Sequence, residues 1–546
     1  MTHKTMLLLA TAGLLAAPAA FAAETPPAGG ACAALGKIAS DGLRITRAEA
    51  IPAGTLPADN PARAALTGAA RASAALPAHC LIEGSLDERQ GTGGKPYAVK
   101  FQLRLPENWN GRFLFQGGGG MDGVVNEAIG AIPVAGATAP PALNRGFAVV
   151  STDSGHQGRD SRDADFGLDQ QARLDYAYAA IGKVTEAAKA LIIARYGRAA
   201  DRSYFMGCSN GGRAAMMAAQ RFPDEFDGIV AGNPGFRLSR AASGHAWDVN
   251  VMTGIAPRAE DGRPVLANAF TPAEMKLVTE AVLQQCDAKD GLKDGLLTAP
   301  STCHFDPAAL RCQPGQTEAC LPEAKLTALV SIMEGGTDSR GEHIYSSWPW
   351  DAGLASAGWR AWKLGTSQTG QPNSLYATLT PSSLGLYFMT PPVQNLQLAT
   401  IDFDKLPART AQTAAINDTT GTMYTSFTAH GGRMLVFHGN SDPAFSADDL
   451  RAYWKQLQAD NDGDTATWAR LFMVPGMNHC GGGPATDDFD PLTAIQAWVE
   501  KGEAPATLIA KGASFPGRTR PLCAYPQEAY YKGEGDPESA ASFVCR

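Results

Sequence analysis

The chain has 546 residues, too many for one simple core, which calls for two domains or one large domain carrying an insertion. Its 45% hydrophobic and 18% charged residues are ordinary for a folded globular protein. A formal net charge of −8 argues against a nucleic acid or an anionic membrane as partner and suits a soluble protein acting on small or neutral substrates.

In chain order, the first segment is "MTHKTMLLLATAGLLAAPAAFAAE": basic Lys4, an apolar run from Met6 to Ala17, and the small-x-small triplet Ala20-Phe21-Ala22. That pattern predicts a signal peptide over residues 1–22, cleaved after Ala22 or Ala23, in preference to a buried N-terminal helix. The expected location is therefore secreted or periplasmic. No later stretch approaches about 18 uninterrupted apolar residues, the least that reads as a spanning helix.

A Pro/Ala-rich stretch to about Asn60 follows, then strand-like runs at Tyr97–Pro106, Gly111–Gly120 and Gly146–Gly155. The last is continuously apolar, as for a strand buried on both faces. Asp175–Gly197 has apolar residues at helical spacing and a glycine stop. "SYFMG" to "FDGIVAGNP" then reads as strand, turn, helix, strand. Between Phe236 and Thr428 the rhythm is lost and Trp, Pro, Gly and Cys accumulate. It returns in "GRMLVFHGNSDP", the helical "SADDLRAYWKQLQA", "ARLFMVPGMNHC" and the helical "PLTAIQAWVEKG". Alternating strands and helices predict an α/β fold with a mostly parallel sheet. Residues 23–235 and 429–546 would form its two parts, and 236–428 a large insertion.

The ten cysteines form an even set, which in an exported chain favours five disulfides. The absence of C-x2-C spacing disfavours a metal site. Short loops suggest Cys286–Cys303, Cys312–Cys320 and Cys523–Cys545, leaving Cys32, Cys80, Cys208 and Cys480.

"GCSNG" (Gly207–Gly211) fits G-x-S-x-G, a sharp strand-to-helix turn that presents a nucleophilic serine. Its bland alternative is a helix cap. An apolar strand before it and "RAAMMAAQ" after it favour Ser209 as nucleophile. A serine needs a base, and the base an orienting carboxylate. Asp442 and His479, each following a strand in the order Ser, Asp, His, fit those roles. His156 precedes the serine, and His438 lies inside the run before Asp442. Asp448 and Asp449 stand at a helix start, where they complement the dipole. Oxyanion donors are expected from the Asn210 amide and the Gly117–Gly120 run, specifically Gly118 and Gly119. If Ser209 and His479 are hydrogen-bonded, Cys208 and Cys480 come within reach of a disulfide, which leaves Cys32–Cys80.

"GCSNGG", "HGNSDP" and "GMNHC", together with "QGGGG", "STDSGH" and the Cys-rich insertion, resemble the tannase and feruloyl esterase family. The resemblance implies an α/β-hydrolase core with the insertion as a lid domain, and a disulfide joining the neighbours of the catalytic serine and histidine. It also implies a structural calcium ion, with no organic cofactor. "CDAKDGLKDGLL" would supply the Asp287, Asp290 and Asp294 carboxylates and the Leu292 and Leu296 carbonyls, an all-oxygen set suited to a hard cation.

The implied activity is hydrolysis of small aromatic esters, hydroxycinnamoyl (feruloyl-type) first, with galloyl esters and terephthalate monoesters as alternatives. A secreted peptidase or a non-catalytic scaffold is a more remote reading. Aromatics in Trp348–Gly365 suit either an acyl pocket or a lid core. Between Ala361 and Ala408 there is no arginine, only Lys363 and Lys405, which weighs against a terephthalate carboxylate as ligand. Oligomeric state is left open.

Overall fold

The computed structural model describes residues 31–38, 42–55 and 75–546; residues 1–22, expected to be a signal peptide, lie outside them. Nine strands form one sheet: β1 (Leu43–Ile51), β2 (His79–Gln90), β3 (Pro96–Pro106), β4 (Arg112–Gln116), β5 (Ala148–Thr152), β6 (Arg202–Cys208), β7 (Gly228–Gly232), β8 (Arg433–Gly439) and β9 (Ala469–Val474). Their spatial order is β1-β2-β3-β5-β4-β6-β7-β8-β9. The pairings from β1 to β5 are antiparallel, and from β5 through β4 to β9 every pairing is parallel.

The period of two along the central strands sorts their side chains to opposite faces. Phe113, Phe115, Phe205, Ile229 and Val436 enter one core with helix α1 (Ala180–Tyr196) and helix α2 (Asn210–Arg221). Leu114, Val149, Met206, Val230 and Phe437 enter the other, closed by Leu492, Ile495 and Trp498. Both faces are buried, which is why these strands read as continuous apolar runs.

The helix expected over Asp175–Gly197 is two pieces. Asp175–Ala179 forms a π turn before α1 begins. The guanidinium of Arg213 donates to the carbonyls of Tyr176 (3.1 Å) and Ala177 (2.7 Å), an alternative partner for groups that a regular helix would bond internally.

Between β7 and β8 the chain leaves the sheet. It builds helices α3 (Leu238–Ile255), α4 (Pro272–Cys286), α5 (Glu323–Glu334), α6 (Ala357–Lys363), α7 (Leu375–Ser382) and α8 (Leu406–Asn417). Their apolar faces pack into clusters around Phe270, Leu329 and Trp359, and around Leu384, Tyr387 and Phe388. After β9 the chain adds two small antiparallel pairs, Thr507–Gly512 with Phe515–Cys523 and Ala529–Tyr531 with Phe543–Cys545. Five disulfides are present: Cys32–Cys80, Cys208–Cys480, Cys286–Cys303, Cys312–Cys320 and Cys523–Cys545, the pairing expected from the sequence. Among the described residues no helix is long and apolar enough to cross a membrane.

Gly212, in the first turn of α2, brings that helix against the end of β7. A Cβ there would lie 2.4 Å from the Gly232 carbonyl oxygen and 3.0 Å from Pro234 Cα, both backbone atoms that have no rotamer to yield. Gly212→Ala is expected to cost about 1–3 kcal/mol of stability through overpacking, read as a lower denaturant midpoint; an unchanged midpoint would contradict this account of the contact.

Candidate active site

β6 ends at Cys208, and Ser209 turns the chain into α2 with φ 64° and ψ −127°, in a region that side chains rarely occupy. Close backbone approach holds the turn. A Cβ on Gly207 would lie 2.7 Å from the Gly211 carbonyl oxygen, and one on Gly211 would lie 2.6 Å from the Gly118 oxygen. The Ser209 amide donates to the Gly232 carbonyl at 3.0 Å. The serine is thus fixed at the carboxyl edge of the parallel strands, where ligands of open α/β sheets bind.

Two further loops at the same edge complete a chain of hydrogen bonds. His479 Nε2 lies 2.8 Å from Ser209 Oγ. Nδ1 of the same ring lies 2.9 and 3.1 Å from the two Asp442 carboxylate oxygens. Asp442 is fully enclosed and also accepts from the Asn233 side chain (2.7 Å) and from the Ala444 amide (2.7 Å). Burial opposes its charge, but the facing His479 and these donors hold its pKa below the usual carboxylate range. The histidine's neighbour Cys480, itself at φ 60°, is bonded to Cys208, so Ser209 and His479 are chain neighbours of one cystine.

The rival residues have other places. His438 is buried beneath the acid loop, its Nε2 2.9 Å from the Phe445 carbonyl. His156 is buried and stacked on Phe166. Ser446 caps the helix Ala447–Asp460 through the amides of Asp448 and Asp449, and Asp449 pairs with Arg237 at 2.8 Å.

Within the glycine run, the Gly117 amide donates to the Met206 carbonyl at 2.9 Å. Gly118 packs against the Asp122 carboxylate, and a Cβ on Gly119 would meet nothing within 4 Å. Gly120 borders the cleft with Ser209 and Asn210.

The insertion grips both loops. Asp351 Oδ2 accepts from Ser441 Oγ (2.6 Å) and from the Gly476 amide (2.8 Å), joining the acid loop to the histidine loop. Tyr376 OH donates to the Pro443 carbonyl, and His245 Nε2 lies 2.8 Å from the Ala444 carbonyl. Trp362 and Phe445 meet the His479 ring edge-on at 4.9 and 5.1 Å.

The cleft in front of Ser209 is walled by Met121, Tyr176, Leu238, Ala242, Trp362, Leu379, Phe388 and Phe445, with His245 and Ser383 as polar members. Of the tryptophans in Trp348–Gly365, Trp362 reaches it; Trp348 and Trp359 lie against Lys363 in the lid. Lys363 is fully buried, 2.6 Å from Asp248, and Lys405 is an exposed partner of Asp402. No described lining residue is cationic. Sequence reasoning offered Trp362 only within a segment that suited pocket or lid core alike; it missed the other walls, and also Asp122 and Arg213, although an arginine inside the Ala- and Met-rich α2 was a visible signal. Burial pushes Asp122 up to about 6.

The acidic loop of the lid is closed on itself. Asp287 accepts from the Asp294 and Gly295 amides (3.1 and 3.0 Å), and Asp290 from the Leu292 amide and the Thr298 hydroxyl (3.0 and 2.7 Å). Asp294 instead pairs with Arg520. Among the described residues no group of three or more acidic, His or Cys side chains is gathered as a metal cage.

This combination of sheet, elbow and lid is that of an α/β-hydrolase. Feruloyl esterase B from Aspergillus oryzae superposes with a TM-score of 0.76 at 24% identity, covering 93% of this chain and 98% of that one. Tannin acyl hydrolase from Aspergillus niger superposes at 0.70 and 23%, covering 92% of each. In sequence, the chain is 42% identical to mono(2-hydroxyethyl) terephthalate hydrolase of Piscinibacter sakaiensis over 523 residues, 87% of this chain and 86% of that protein. It is 28% identical to a probable feruloyl esterase B-2 of Aspergillus terreus, with 82% and 83% covered. The sequence profile described as "Tannase and feruloyl esterase" matches residues 86–546. The chain belongs to that family, and it is a carboxylic ester hydrolase.

The Cys208–Cys480 bond closes a sequence separation of 272 residues, so removing it frees an unfolded chain by an amount that the loop-entropy model puts at about 5.6 kcal/mol. Cys208→Ala with Cys480→Ala is expected to lower both the unfolding midpoint and kcat; a variant matching wild type in both would remove any role for the bond at the site.

Proposed function

We propose that this esterase acts through a Ser–His–Asp triad and an acyl-enzyme. His479 Nε2 takes the proton of Ser209 as Oγ attacks the ester carbonyl. The Asn210 amide and an amide of the glycine run hold the oxyanion. His479 then gives its proton to the departing alcohol. Water, deprotonated by His479, releases the acid in the second half. Asp442 keeps the imidazole oriented and stabilises its charged form. The observation that carries this reading is the unbroken 2.8 and 2.9 Å path from Ser209 through His479 to Asp442.

The substrates we propose are aromatic esters with an uncharged acyl ring, hydroxycinnamoyl esters first and galloyl esters next. The apolar, aromatic cleft supports that order. A terephthalate monoester, the substrate in the name of the 42% identical relative, presents a free carboxylate, and burying it without a cationic partner is unfavourable. Export is likewise proposed, supported by five disulfides in a chain with a signal-like start.

A structural calcium ion in the lid is proposed on the chemistry of its donors. Asp287 and Asp290 are buried carboxylates whose hydrogen-bond donors are neutral amides and one hydroxyl. To join them and the Leu292 and Leu296 carbonyls in an oxygen set suited to a hard cation, Asp294 would have to leave its ion pair with Arg520. The ion would offset the repulsion among the carboxylates and stiffen the loop.

Ser209→Ala is expected to lower kcat on methyl ferulate by at least about four orders of magnitude while the protein stays folded; retained turnover would end the triad reading. In a panel of methyl ferulate, methyl gallate and the terephthalate monoester, kcat/KM should fall in that order, and a preference for the terephthalate would reverse the reading of the cleft. Chelator treatment should lower the melting temperature and added calcium should restore it, whereas a melting curve indifferent to both, with no calcium found by metal analysis, would exclude the ion.

A further inference from the structure

Asp122 is a buried carboxylate that the reaction as written above does not use. It stands two residues after the glycine run, at φ 45°, between the two strands of chain that carry the oxyanion donors. One oxygen, Oδ1, accepts from the side-chain amide of Asn210 at 2.7 Å. The other, Oδ2, accepts from Ser154 Oγ at 2.5 Å. Its own amide donates to the Gly119 carbonyl at 3.1 Å. Gly118 fits against it because no Cβ intervenes: one placed there would lie 2.7 Å from Oδ2.

Asn210 cannot turn its side chain away. Its Oδ1 accepts from Arg213 Nε at 2.6 Å, which leaves Nδ2 facing Asp122. Arg213 is in turn anchored on the Tyr176 and Ala177 carbonyls. The Tyr176 hydroxyl donates to the Gly120 carbonyl at 3.0 Å. The hydrogen bonds therefore close a ring: glycine run, Asp122, Asn210, Arg213, Tyr176, and back to the glycine run.

We propose that Asp122 is a positioning residue for ester hydrolysis, fixing the Asn210 amide and the glycine run relative to one another so that both donors meet the same oxyanion. The inference rests on the oxyanion reading given under the proposed function. Donors aimed in advance at developing charge contribute through placement, so loosening one weakens the transition state more than the bound ester. A carboxylate suits the position because it offers two acceptors, one for the Asn210 side-chain amide and one for the Ser154 hydroxyl, in charge-assisted bonds, while its own backbone amide holds the glycine run at Gly119.

The test is a double-mutant cycle on the full-length enzyme, with Asp122→Ala, Asn210→Ala and the two combined. On methyl ferulate each single variant should lose about 10–100-fold in kcat with KM within about threefold, less than the loss of a whole oxyanion donor. The double variant should be no more than about threefold below the weaker single one, because both cut the same link. If Asp122→Ala does not fold, Asp122→Gly decides: glycine accepts φ 45° and removes both carboxylate acceptors, and about a tenfold kcat loss is expected. Folded variants with kcat within twofold of wild type, a loss residing in KM, or fully multiplicative effects in the cycle would each overturn the proposal. An inactive Ser209→Ala beside a fully active Asp122 variant would overturn this inference alone, whereas an active Ser209→Ala would remove the reading beneath it.

Discussion

The left-handed turn at Ser209 is the constraint on which the site depends. Holding a non-glycine residue at φ 64° costs energy, and it persists because the neighbouring backbones leave no alternative. Gly207, Gly211 and Gly117 meet at distances that exclude a methyl group, so the elbow and the loop after β4 are packed main chain against main chain. Any side chain at these points would separate Ser209 from the glycine run.

Two loops must then arrive at that turn, and three holds fix them there. The histidine loop is tied covalently through Cys480. The acid loop is held by Asn233 and by the amides of Ala444 and Phe445 on the Asp442 carboxylate. The insertion supplies the third hold: Asp351 joins Ser441 to Gly476, while Tyr376 and His245 hold the Pro443 and Ala444 carbonyls. The lid is therefore part of the scaffold that fixes the reacting groups as well as the wall of the cleft.

Much of this was legible in the sequence, for identifiable reasons. Strands buried on both faces leave uninterrupted apolar runs, so "GFAVVSTDSG" and "GRMLVFHGNSDP" declared themselves. Ser209, Asp442 and His479 each follow such a run, and chain order alone set their expected roles. The cysteines paired as loop length and the resemblance implied. The cleft walls were not legible. Leu238, Trp362 and Phe388 come from segments far apart in the chain, and their apolar character suits a lid core equally well. The π turn at Asp175–Ala179 was hidden because Arg213, which donates to its carbonyls, lies on another helix. In the acidic loop the spacing of aspartates was plain, but the pairing of Asp294 with Arg520, more than two hundred positions away, was not.

The uncharged walls of the cleft have a consequence for turnover. Hydrolysis converts a neutral ester into an acid that ionises at neutral pH, and a carboxylate loses far more hydration than an ester on entering an apolar pocket. With Lys363 committed to Asp248 inside the lid, no described wall residue compensates the new charge. For the neutral esters proposed above, the apolar walls favour the substrate over its ionised acid, which would ease release of the product.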